Sequence, residues 1–293
     1  MLSQIQQMRL DYHTNLLVNE LIHIAALGHL NIADSGNRNS CAIACDMTNL
    51  MAQNTGIAIS HTGPTGDSQV GTMFQQETLT FLQCAVGLLQ QNLLRTGNFD
   101  WAVQRHIDQF EQYQHINQYS IGGQNAFLLA DVGVYNVKPD IVFFRTPITL
   151  SHIGATGAEP VAQYTPLLDR SPNNDGPHIL MASISCKLTI RSDRSQNTRT
   201  EAIGLIRQRK GSMPKMVCVT AEPLPTRLAS IAAGTGEIDC VYHAALSELL
   251  AAVPTHISRR SKSIINPQRT MLDILVNGRR LRDISDLPFD LIL

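Results

Sequence analysis

Apolar positions follow a helical rhythm through the first third of the chain and a strand rhythm later. Residues 1–30 and about 40–54 read as helices. Between them "NIADSGNRNS" is polar, contains Gly36 and reads as a loop. "ISHTGPTGDSQVG" (59–71) is a second loop. It leads into a long helical stretch over about 72–95, marked by Phe74, Leu79, Phe81, Leu82, Val86, Leu88 and Leu89. Helix-compatible polar sequence continues to about residue 119.

The second half changes character. "VKPDIVFFRT" (137–146) places Pro139 and Asp140 at the mouth of a short apolar strand, where proline removes a donor that the strand does not need. "HILMASISCKLTI" (178–190) reads as a longer strand. Ile184, Cys186 and Leu188 alternate with Ser183, Ser185, Lys187 and Thr189, so the two sets point to opposite faces. "SDRSQNTRTEAIGLIRQRKG" reads as a helix that Ser192 or Asp193 can cap and Gly211 can close, with basic residues in its last turn. "KMVCVTAEP" (215–223) is a further strand. The order strand, strand, helix, strand predicts an α/β core, with other helices supplied mainly by the first half. No repeat or low-complexity linker interrupts the chain. The expectation is a single domain over 1–293, helical over about 1–130 and with its core over about 131–293.

Composition narrows this picture in three places. No window approaches the roughly 18 uncharged apolar residues of a membrane span, and the N-terminus lacks the apolar block of a signal peptide, so a cytoplasmic location is expected. The cysteines at 41, 45, 84, 186, 218 and 240 fit no disulfide framework. Cys41-x-x-x-Cys45 and Cys240-x-x-His243 are each half a zinc site, and a structural zinc takes four ligands, so buried free thiols are expected instead. The net charge of −1 does not suit a protein that coats nucleic acid. Its distribution is uneven: Lys187 to Lys215 holds eight basic residues against two acidic ones, and "SRRSK" (258–262) and "NGRRLR" (277–282) form further clusters. A solvated charged surface would look like this, and so would a protein that docks on phosphates in one place.

The strand pair and the helix bring chemistry within reach. With the two strands side by side, Asp140 and Lys187 can converge on one edge of a sheet. Glu201, about two turns into the following helix, can reach back toward that edge. Two carboxylates suit Mg²⁺, which activates water and stabilises charge on a phosphodiester. A lysine beside them can hold the attacking water and neutralise the phosphate. Taken singly, each residue has a plainer explanation: a lysine on a wet strand face, an aspartate shaping a turn, an exposed helical glutamate.

As a set, Pro139-Asp140, Ser185-Cys186-Lys187 and Glu201 resemble the PD…(D/E)xK nuclease motif in a rearranged form. Ser185 stands where the acid two residues before the lysine is usual, and the acid has moved to Glu201. This variant is found among restriction endonucleases that cut around a CCGG core. "HILMASISCKLTIRSDRSQN", "MVCVTAEPLPTRLASIAAGTGEIDCVYHAAL" and "VNGRRLRDISDLPFDL" are similar to that family; "NIADSGN" and "GTMF" are weaker matches. The resemblance implies a restriction-endonuclease-like α/β fold, a central mixed β-sheet flanked by helices. It implies a type II restriction endonuclease that hydrolyses double-stranded GCCGGC-like DNA with Mg²⁺ and leaves 5′-phosphates. It further implies a homotetramer built as a dimer of dimers, and a cognate DNA methyltransferase in the host. Asp140, Glu201 and the backbone carbonyl of Cys186 inherit metal binding, and Lys187 inherits the positioning of water.

The family's recognition element falls on "RSDR". Each guanine of CCGG offers O6 and N7 to an arginine, and each cytosine an amino donor to a carboxylate. Arg191 and Arg194 can therefore take the guanines and Asp193 the cytosines. A capped helix start with an exposed salt bridge is the plainer alternative. By similarity, Asp34, Gln69 and Arg227 are candidates for the outer base pair. One departure stands out. Relatives often carry a glutamate after the phenylalanine of "GxxF", where this chain has Gln75, and Glu77 lies about 200° further round the helix. A non-cleaving DNA-binding protein and a repair or junction-resolving nuclease on the same core are the competing expectations.

Overall fold

The computed structural model describes residues 3–64, 66–93, 99–116, 137–146, 148–149, 168–169, 178–234, 236–259 and 262–292. The strands are β1 (Phe99–Val103), β2 (Ile141–Arg145), β3 (Ile148–Thr149), β4 (Leu168–Asp169), β5 (Ile179–Lys187), β6 (Lys215–Thr220), β7 (Cys240–His243), β8 (His256–Arg259), β9 (Lys262–Ile265) and β10 (Leu281–Asp283). The helices are α1 (Gln4–Val18), α2 (Arg38–Thr55), α3 (Asp67–Leu93), α4 (Ser192–Gln208), α5 (Pro225–Ala232), α6 (Leu246–Ala252), α7 (Pro267–Asn277) and α8 (Leu287–Ile292). Among the described residues six strands form one mixed sheet in the order β1-β2-β5-β6-β7-β10. Its β1-β2-β5 part is antiparallel and its β6-β7-β10 part parallel. β3 pairs with β4, and β8 with β9, as separate two-stranded sheets. Among the described residues no helix is long and apolar enough to cross a membrane.

The chain divides into two compact units, one of Met1–Leu93, Cys186–Arg199 and Val217–Leu293, the other of Leu94–Ser185 and Thr200–Met216. In the first, α1 opens with a capping box between Ser3 and Gln6 and ends at Val18. The helical rhythm of the sequence runs on to residue 30, but Glu20 adopts a φ of 56°, which a right-handed helix excludes. α3 packs against α1 and α8. Tyr12 meets Thr78 at 3.0 Å, and the Glu77 carboxylate accepts from the side-chain amides of Asn15 (3.0 Å) and Asn19 (2.9 Å). α2 packs on α6, and α5 on α7.

In the second unit the polar stretch that reads as helix-compatible instead holds β1 and two short 3₁₀ turns, Ile107–Gln109 and Glu111–Tyr113. The reason is tertiary. Trp101 pairs with Phe143 across the antiparallel ladder, and Phe99 stacks on the same ring at 5.1 Å. The second 3₁₀ turn then grips two elements. The Gln112 amide closes both backbone groups of Leu180 at the start of β5, at 2.8 and 3.0 Å. Tyr113 donates to the Leu205 carbonyl in α4 at 3.1 Å, and Glu111 pairs with Lys210 at 2.8 Å.

β5 is buried on both faces from Ala182 to Cys186. Ser183 and Ser185 alternate with Ile184 and Cys186 as the sequence predicts, but both sets lie beneath neighbouring elements. α4 runs from Ser192 to Gln208, and Gly211 takes a φ of 70° just beyond it, a left-handed conformation that glycine adopts without steric cost.

Candidate active site

Asp140 directly precedes β2, behind the buried Pro139. Its carbonyl accepts from the Gln104 backbone at 3.2 Å, which fixes the chain at the strand mouth. The next residue, Ile141, is in register with Ile184 of β5. From Ile184 the strand continues unbroken through Ser185 and Cys186 to Lys187, its last residue. Asp140 thus opens one central strand and Lys187 closes the antiparallel neighbour of that strand. Both residues are half-buried, as is Glu201.

Glu201 lies in the same unit as Asp140, within α4. One turn on, at Gly204, the helix comes close to the segment that leads into Asp140: a Cβ built on Gly204 would stand 3.4 Å from Cγ2 of Val137. Residues three apart share a helix face, so Glu201 is on the face that carries Gly204. The two carboxylates therefore occupy neighbouring elements of one unit. Their oxygen donors are of the kind a hard divalent cation such as Mg²⁺ takes. Among the described residues no group of three or more His, Cys, Asp or Glu side chains could hold a metal. A site of two carboxylates completed by a backbone carbonyl and water does not require such a group.

After Lys187 the chain leaves β5 and is tethered at once. The Leu188 carbonyl accepts from the Ala221 amide at 3.0 Å and the Thr220 hydroxyl at 3.4 Å. The Ile190 amide donates to the Glu222 carboxylate at 2.9 Å. Arg191 follows, exposed, and its carbonyl accepts from Ser195 at 2.9 Å in the first turn of α4. Ser192, Asp193 and Arg194 form the helical start of α4; their side chains lie outside the described residues.

Glu222 is a residue to which the sequence reading gave no role, although "TAEP" sits inside a quoted stretch. It is fully buried. Its second oxygen accepts from the Leu224 amide at 3.1 Å, and Arg227 Nη1 lies 4.0 Å from the first. Burial pushes its carboxyl up to about 7, against the pull of the two amides and the Arg227 charge. The signal available in the sequence was weak: an acid between an apolar strand and a proline is more often an exposed turn residue.

Arg227, in α5, donates through Nη2 to the carboxylate of Asp34. Asp34 is itself shaped by its loop: its side chain accepts from Gly36 at 3.2 Å and its amide donates to Ser40 at 2.9 Å. The structure thus joins two of the three residues singled out for an outer base pair. The third, Gln69, is exposed in the first turn of α3. Gln75 is buried on α3, and Glu77 points to Asn15 and Asn19 of the α1 end. Glu77 thus has a packing role in the α1–α3 pair.

The half zinc sites resolve into other contacts. His243 accepts from the Ala245 amide at Nδ1 (3.0 Å) and meets the Glu222 carbonyl through Nε2 (3.0 Å). Burial drives its pKa down to about 4, so the ring is neutral. Cys186, Cys218 and Cys240 are buried thiols as expected, whereas Cys45 and Cys84 are exposed.

A central mixed six-stranded sheet flanked by helices is consistent with the restriction-endonuclease-like class. Comparison with known proteins narrows the class. The sequence profile of the family described as NgoMIV restriction enzyme matches residues 12–293. The chain is 38% identical over 297 residues to the type II restriction enzyme NgoMIV of Neisseria gonorrhoeae, covering 97% of each chain. It belongs to the NgoMIV restriction enzyme family and is a type II restriction endonuclease, a site-specific deoxyribonuclease.

Proposed function

We propose that this endonuclease hydrolyses double-stranded DNA at a palindromic GCCGGC-like site with a CCGG core, depends on Mg²⁺, and leaves 5′-phosphate ends. The β2–β5 register carries the reading, because it sets Asp140 next to the Ile141–Ile184 pair on the strand that ends at Lys187. Asp140, Glu201 and the Cys186 carbonyl would hold Mg²⁺, which supplies an electrophile for the phosphate and a lower pKa for bound water. Lys187 positions the attacking water and neutralises charge on the phosphoryl oxygens. Water adds to phosphorus as the bond to the 3′-oxygen breaks, which gives a 5′-phosphate and a 3′-hydroxyl.

Arg191 and Arg194 take the two guanines of each half-site and Asp193 the two cytosines. Asp34, Gln69 and Arg227 address the outer pair. A palindrome calls for a two-fold symmetric protein, and the proposed assembly is a dimer of dimers. The proposed setting is the cytoplasm of a host whose cognate methyltransferase protects its own sites.

Digestion of plasmids with none, one or two GCCGGC sites, with Mg²⁺ or with chelator, tests this. Discrete Mg²⁺-dependent fragments that map to the site support it, and faster cutting of the two-site plasmid supports the tetramer. Tight binding at the site with no cleavage would favour a second reading, a non-cleaving DNA-binding protein. The buried, uncharged Gln75 favours that reading, because the resemblance implies a glutamate at that place.

A further inference from the structure

Two segments proposed to read DNA meet at one oxygen of a buried carboxylate. Glu222 Oε2 accepts the Ile190 amide at 2.9 Å, one residue before Arg191 and two before the start of α4. The same oxygen lies 4.0 Å from Arg227 Nη1, and Arg227 in turn holds the Asp34 carboxylate. The Leu224 amide, at 3.1 Å, fixes the remaining oxygen just before α5 begins at Pro225. Two side chains then fix the Glu222 backbone: its amide donates to the Thr220 hydroxyl at 3.1 Å, and its carbonyl meets the His243 ring at 3.0 Å.

Burying a carboxyl group is unfavourable unless donors surround it. A hydroxyl or a single amide could cap one free backbone N–H at far lower desolvation cost. Here each carboxylate oxygen accepts one N–H, each from a different segment, and a cation lies beside one of them. A glutamine could satisfy only one of those amides, because its own NH₂ would face the other donor.

We infer that Glu222 is a specificity-positioning residue, which ties the Arg191–Arg194 segment to the Asp34–Arg227 pair so that discrimination at the inner CCGG pairs and at the outer pair is coupled. This rests on the base-reading roles proposed above for those residues.

The test is a matrix of equilibrium binding constants. The intact protein, in chelator, is titrated with the GCCGGC duplex and with duplexes altered at one inner or one outer pair. Arg191→Ala and Arg227→Ala are measured first. Loss of discrimination by Arg191→Ala at the inner pairs and by Arg227→Ala at the outer pair establishes the reading residues, and their failure to change any ratio overturns the base-reading roles and this inference together. With those effects in hand, Glu222→Gln is expected to lower discrimination at both inner and outer pairs by roughly tenfold, within the range of one good base contact. A merely structural Glu222 would reduce the fraction of active protein and weaken all duplexes alike, which leaves the ratios intact and sinks the inference. Should Glu222→Gln not fold, Arg227→Ala still decides. Coupling through Glu222 predicts that it relaxes the inner pairs as well as the outer one, by several-fold. Relaxation confined to the outer pair overturns the coupling.

Discussion

The guanidinium of Arg227 holds the carboxylate of Asp34, 193 residues earlier in the chain. Both side chains are about one-third exposed, at 30% and 32%. An exposed ion pair of this kind adds only about 0–1 kcal/mol to stability. Its pairing across so long a stretch of sequence therefore makes more sense as the presentation of two polar groups on one surface.

Asp34→Asn separates these roles. It keeps the shape of the side chain and removes its charge. The expected outcome is a change in stability of no more than about 1 kcal/mol. Discrimination at the outer base pair should fall by about 1–3 kcal/mol, the range of one base contact. Competition binding with duplexes altered at that pair, beside urea unfolding, checks both. A variant with full outer-pair discrimination would remove Asp34 from the reading set.

Lys187→Ala should reduce cleavage by roughly 10²–10³-fold or more, the scale of one lost charge-stabilising donor. Site-specific binding should remain, because the tethers on Leu188 and Ile190 engage their backbone groups and do not use the lysine side chain. Single-turnover cleavage and gel-shift titration separate the two quantities. Loss of binding and folded structure together would make Lys187 a structural residue instead.

Asp193→Ala, at the start of α4, should weaken discrimination at the cytosines of the proposed CCGG core by about 1–3 kcal/mol. Affinity for unrelated duplex should hold or rise, since a negative charge leaves the DNA side. Unchanged specificity would return "RSDR" to the role of a capped helix start.

Glu222 makes a pH prediction of unusual sign for a carboxylate. Its pKa rises from 4.5 to about 7 on folding, so the neutral form is the one that folding favours. Its contribution is fully present below about pH 4.5 and declines as pH rises through about 7. Glu222→Gln should flatten this part of the stability profile, whatever it does to stability overall. Urea midpoints from pH 4.5 to 8 measure it, and an unchanged slope in the variant would assign the decline to other groups.

The sequence made the central strands legible because their patterns are local. Pro139-Asp140 ahead of an apolar run, the alternation from Ser183 to Lys187, and the capped helix after it each appear where the structure has β2, β5 and α4. What it hid depends on distant partners. "FDWAV" is too short to declare a strand, and becomes β1 only by pairing with β2 and stacking Phe99 and Trp101 on Phe143. The helical rhythm carried past Val18 because Leu21 and Ile22 are core residues, although the backbone has already turned at Glu20. Asp34 and Arg227 were separate candidates by similarity, and nothing in either neighbourhood says that they meet. Glu222 was invisible for the same reason: its partners lie at 190 and 227, and burial of an acid leaves no periodic trace.

A second buried polar node controls the acid limb of stability. Arg9 of α1 reaches Glu248 at 2.6 Å and Asp283 at 2.7 Å, and Asn54 adds a bond to Glu248 at 3.1 Å. The node joins α1, α2, α6 and β10. Burial alone would raise the Glu248 pKa, but the Arg9 guanidinium overrides it and holds the carboxyl at about 2; Asp283 is lowered in the same way. A depressed carboxylate stabilises the fold above its unfolded value of 4.5, and that stability is lost as pH falls toward about 2. Arg9→Met leaves the buried Glu248 and the half-buried Asp283 without their cation and should cost about 3–5 kcal/mol at neutral pH. Because the depression of both acids comes from Arg9, the variant should also lose less further stability between pH 4.5 and 2 than the parent does. Urea unfolding at pH 7, 4.5 and 3 measures both effects. An acid limb equally steep in parent and variant would place the acid sensitivity outside this node.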